Sequence, residues 1–141
     1  MRATGYALTA LLLAGCTQGG ENLPGNTDDT QPYAGIPEEA VVIALGTEPF
    51  WNARIEGESL TWTTPERADG INGAVTRFAG RGGVSFGGEL DGQSFDLAVT
   101  PAECSDGMSD QTYPFTATVQ LGAQQLNGCA YREGDDLGPP P

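Results

Sequence analysis

The sequence predicts an all-β fold, a small antiparallel up-and-down barrel of about eight strands, with a two-sheet sandwich as the alternative. Three observations lead there. Short segments of strict apolar/polar alternation recur between residues 41 and 131, and no helical period appears after residue 16. Glycine supplies 21 of the 141 residues, about twice its usual share of roughly 7%, so turns are frequent. Consecutive strands joined by tight turns pair antiparallel, and eight of them close naturally into a barrel that leaves no exposed edge.

The elements follow in order. Residues 1–15 open with Met1-Arg2 and continue as an apolar run from Tyr6 to Ala14. That run is far short of the roughly 20 residues a spanning helix needs, but it fits the charged start and apolar centre of a secretory signal. It ends in Leu13-Ala14-Gly15-Cys16, which resembles the lipobox of bacterial lipoproteins. The resemblance implies cleavage before Cys16, diacylation of its thiol and acylation of the new amine. Three acyl chains exceed the two-signal requirement for stable anchoring. An ordinary signal peptide with a chance cysteine is the alternative. Thr17 in place of aspartate implies an outer-membrane destination, facing the periplasm, if the enterobacterial sorting rule holds. Residues 16–38 are polar, rich in Gly and Pro and without period, and read as a lipid-anchored flexible tether with a mean reach of about 25 Å. Tyr33 and Ile36 could dock on the domain, although nothing local demands it.

The β domain is expected over 39–132. Val41 to Leu45 is an apolar run of strand length, and 46–49 a turn. Trp51, Ala53 and Ile55 share one face of the next strand; Leu60 and Trp62 share one face of the third. Residues 64–73 read as the longest central loop. Short strands follow at about 74–79 and 83–87. Asp91-Gly92 is a strong tight-hairpin signal before Phe95, Leu97 and Val99. A loop over 100–112 leads to the closing hairpin, in which Tyr113, Phe115, Ala117, Val119 and Leu121 alternate with polar residues. Gly122-Ala123 turns the chain back through Leu126, Cys129 and Tyr131. Residues 133–141 read as a disordered tail.

The chain has no His and no Lys, and its formal charge is −13. Lack of His removes the Ser-His-Asp and Cys-His arrangements and the commonest metal ligand. A chain this acidic has no charge with which to displace counterions from nucleic acid. Its partners are expected to be the membrane through the anchor, and a cationic protein or envelope glycan. With Cys16 lipidated, Cys104 and Cys129 form an even pair in an exported domain, which points to a disulfide rather than two buried thiols. The bridge would contribute about 3 kcal/mol in the chain-entropy view.

Two stretches could carry chemistry. Ser105, Asp106, Met108, Ser109 and Asp110 form a candidate binding loop. Its clustered oxygens could hold calcium, but the EF-hand pattern with its distal Glu is missing. The favoured reading is that Asp and Ser side chains bond nearby amides and hold a tight loop. Glu103, Asp106 and Asp110 could pair for glycoside hydrolysis, but no aromatic cleft is evident, and Ser105 and Ser109 have no candidate base. Phe50, Trp51 and Trp62 could form a stacking patch, although such residues are more often core. No cofactor is expected.

GTEPFW at 46–51, CSDGMSDQTYPF at 104–115 and LNGCAY at 126–131 resemble a family of bacterial envelope proteins and lipoproteins of unassigned activity. The likeness covers most of residues 43–131. It implies an anchored or secreted β domain with a Cys104–Cys129 bridge, and carries no catalytic residue. The expected role is therefore a non-enzymatic, lipid-anchored binding or structural module. A lysozyme-inhibitor-like protein gripping a cationic hydrolase is the alternative, although the loop motifs of that class are missing.

Overall fold

The structure, a computed structural model, describes residues 30–139. The signal segment, Cys16 and the first part of the tether lie outside the described residues. The rest is a closed antiparallel barrel of eight strands, each paired with its neighbours in chain order. The strands are β1 (Val42–Thr47), β2 (Phe50–Glu56), β3 (Ser59–Thr64), β4 (Arg67–Ala79), β5 (Val84–Leu90), β6 (Gln93–Ser105), β7 (Thr112–Leu121) and β8 (Gln124–Arg132). β8 returns to β1 through Val42–Arg132 to Leu45–Cys129, and this pairing closes the wall.

Alternation decides which residues fill the interior. Trp51, Ala53 and Ile55, then Leu60 and Trp62, then Phe95, Leu97 and Val99, then Phe115, Ala117 and Val119 are all buried. Leu121 is only partly buried. Trp51 and Trp62 stack with centroids 5.3 Å apart, and Phe95 meets Trp62 edge-on at 5.9 Å. The barrel is thus packed solid by side chains rather than hollow. β1 also alternates: Val42 and Ala44 are buried while Ile43 and Leu45 are partly exposed. At the β5–β6 turn Asp91 and Gly92 both adopt positive φ, 50° and 78°, as a two-residue type I′ hairpin requires.

Four boundaries differ from the sequence expectation. The loop expected over 64–73 is mostly strand, since β4 begins at Arg67 and pairs with β3 through a bulge between Trp62 and Thr64. The loop expected over 100–112 is shorter, because β6 runs to Ser105. Order also begins before residue 39. Ile36 is only 1% exposed and sits in the core cluster. The Tyr33 amide donates to the Gly80 carbonyl at 2.7 Å. Two inward-facing strand positions hold this segment: Arg77 donates to the Ile36 carbonyl (2.6 Å) and Arg132 to the Gly35 carbonyl (2.7 Å). Beyond β8, Asp135 pairs with Arg132 and Glu133 with Arg54, so the first residues of the expected tail are held as well.

Candidate binding site

The three distinctive stretches of the sequence meet at one place. At position 46 an added Cβ would lie 2.1 Å from the Trp51 indole nitrogen; at 128 it would lie 1.9 Å from the Leu45 carbonyl oxygen and 3.0 Å from the Trp51 ring. Gly46 and Gly128 are therefore the space into which Trp51 folds.

The residue after Gly128, Cys129, faces outward and is bridged to Cys104, with Cα atoms 5.6 Å apart. Cys129 and Tyr113 are both buried, yet neither belongs to the central cluster. They are covered from outside. A register shift between Pro101 and Cys104 bends the end of the β6–β7 hairpin. The bent arm lies back over the outer wall, with Tyr113 against Tyr131 (5.8 Å between centroids). Its tip is fixed to β1 where the Thr47 hydroxyl donates to the Asp106 carbonyl at 3.0 Å.

Within the tip, Asp106 organises the loop. Its Oδ1 accepts the amides of Met108 (2.9 Å) and Ser109 (2.8 Å); its Oδ2 accepts the hydroxyls of Ser109 (2.7 Å) and Tyr113 (3.2 Å). The two amide bonds hold the carboxyl down at about 2, with the Ser109 amide the stronger cause. Burial pushes the Tyr113 phenol up, and the Asp106 charge adds to it. Ser105 Oγ accepts the Gly107 amide at 3.2 Å. This is the structural reading of the loop: the Asp106 oxygens are spent on its own backbone and hydroxyls. Among the described residues no group of three His, Cys, Asp or Glu is gathered to hold a metal. Glu103 lines a separate hollow at the root of the arm with Tyr113, Arg132 and Asp135.

The arm creates a groove of about 630 Å³ beside it. Its walls include Leu45, Thr47 and Phe50 of the β1–β2 hairpin, Thr63, Pro65 and Ala68 of the β3–β4 hairpin, and Asp106 and Met108 of the arm; Trp51 reaches it from inside. Phe50 is 51% exposed and Met108 68% exposed. The loop residues Asp106 and Met108 are thus joined to the groove, while Asp110 is exposed at the end of the arm. The aromatic stretch divides: Trp51 and Trp62 are core, and Phe50 is surface. Sequence reasoning missed Pro65 and Ala68 because residues 64–73 carried no strand signal. Comparison with protein-family models, with curated proteins and with solved structures found no match.

Proposed function

We propose that this chain is a lipid-anchored envelope protein of the outer membrane whose barrel is a non-enzymatic binding module, and that the groove beside the arm is its recognition surface. One observation carries the reading. Three large apolar side chains are exposed among the described residues, Phe50, Phe78 and Met108, and two of the three line the same groove. Scattered exposed apolar residues need no explanation, but a contiguous apolar groove is how binding surfaces are built. The signal-like start and Leu13-Ala14-Gly15-Cys16 supply the anchor. The tether then links the barrel to the lipid.

A photo-crosslinking side chain at position 50, in the anchored protein in cells, is expected to give adducts that the same group at position 78 does not give. Identical patterns from both positions would overturn the assignment of the groove. Labelled palmitate is expected on the wild type and not on Cys16→Ser. The acidic charge also favours a second reading, inhibition of a cationic lysozyme. Unchanged lysozyme activity in the presence of the purified protein would remove it.

A further inference from the structure

We infer that the groove takes a cationic peptide segment of a partner protein, with an apolar side chain laid between Phe50 and Met108 and lysines or arginines on the rim. The inference rests on the reading of the barrel as a binding module and adds the chemistry of the occupant.

Charge argues it first. The three segments that frame the groove carry Glu48, Glu66, Asp69, Asp106 and Asp110 against one cation, Arg67. The Arg67 guanidinium is turned to Asp91 at 3.6 Å. Asp106 is the one charged residue that lines the groove itself, and the other carboxylates lie on the segments around it. The charge around its apolar lining is therefore negative on balance. An anionic lipid or phosphorylated ligand would be repelled, and a second copy of a chain with net charge −13 would be repelled more strongly.

Lining argues it next. The groove is walled by side chains of the β1–β2 and β3–β4 hairpins and of the arm. Recognition there comes from side chains entering a pocket. The volume suits one or two side chains rather than a folded surface. The two exposed walls suit a basic segment in particular. Met108 is unbranched and adapts to irregular shapes. The Phe50 ring attracts a lysine or arginine head while accepting its aliphatic stem.

The test uses the full-length protein in neutral detergent and a fluorescein-labelled short peptide with one phenylalanine between two pairs of lysines, followed by anisotropy. Binding is expected. It should weaken about tenfold or more in Phe50→Ser/Met108→Ser, and to a similar extent in Glu48→Gln/Glu66→Gln/Asp69→Asn. All these positions are exposed, and circular dichroism checks that each variant keeps its fold. A peptide with glutamates in place of the lysines should not bind. Binding indifferent to Phe50 and Met108 would reduce the effect to diffuse attraction and overturn the inference. If the lysine peptide fails while an uncharged phenylalanine peptide binds and is lost in Phe50→Ser/Met108→Ser, the occupant's charge is wrong but the groove stands. If neither peptide binds and the position-50 crosslinker also captures nothing, the binding-module reading falls with it.

Discussion

Asp106 shows how a single side chain shapes the surface. Its carboxylate accepts three donors within its own loop and the Tyr113 hydroxyl from β7, and the backbone amides of Ser109 and Met108 lower its pKa from 3.8 to about 2. A group whose pKa is depressed on folding contributes stability above its unfolded value and loses that contribution as pH falls through the folded one. The loop is therefore expected to loosen between about pH 4 and pH 2, seen as faster amide exchange at Met108 and Ser109. Asp106→Asn should be looser at neutral pH and show no such transition. A variant that still loosened over the same window would assign the effect to another carboxylate. Gly128 makes the opposite kind of contribution, by occupying no space. Gly128→Ala would drive a methyl into the Leu45 carbonyl and the Trp51 ring. Overpacking of this kind costs about 1–3 kcal/mol, measurable as a lower denaturation midpoint with unchanged slope.

At the scale of the element, two additions to the plain barrel matter: the segment before β1 and the arm. Ile36 enters the core from the N-terminal side, and Arg77 and Arg132 bond the carbonyls beside it. Ile36→Ala is expected to cost about 2–5 kcal/mol in chemical denaturation, as for other buried aliphatic truncations; a loss below about 0.5 kcal/mol would show the segment to be a dispensable strap. The arm depends on its sulfur bridge. Converting Cys104 and Cys129 together to Ser should cost about 3 kcal/mol from the 25-residue loop alone. It should also abolish the position-50 adducts if the arm is a wall of the groove. The barrel itself was legible because its strands carry their apolar residues on one face. β4 was half legible for a physical reason. Its inward positions include Gly73, where a Cβ would meet the Glu89 carbonyl at 2.7 Å, so the position that should have shown an apolar residue is empty. Ile36 was legible only as a residue that could dock, since the arginines that bond its carbonyl and that of Gly35 lie 41 and 97 positions further along the chain. The groove was illegible because it is made by the arm folding over the wall, and local alternation does not encode that fold-back.

For the molecule as a whole the controlling quantity is charge. There are nineteen carboxylates and six arginines. Arg54, Arg67, Arg77 and Arg132 are drawn into ion pairs with Glu56 and Glu133, Asp91, Glu38 and Asp135. Most of these pairs lie at the surface, where each is worth about 0–1 kcal/mol. The carboxylates left over repel one another through solvent, and compactness works against that repulsion. Salt shortens the reach of both effects, from about 30 Å at 0.01 M to about 8 Å at 0.15 M. If repulsion dominates, stability rises with salt: the thermal midpoint should climb by a few degrees across that range, since about 1 kcal/mol moves a domain of this size by roughly 4–8 °C. If the ion pairs dominate, the midpoint falls. A cationic ligand in the groove must respond the other way, because the same screening weakens attraction to the rim. Stability rising while lysine-peptide affinity falls, over one salt titration, is the pattern expected of a barrel whose surplus charge serves recognition at a cost to its own fold. Both quantities moving together would separate the groove from the net charge and leave its apolar walls as the whole of its specificity.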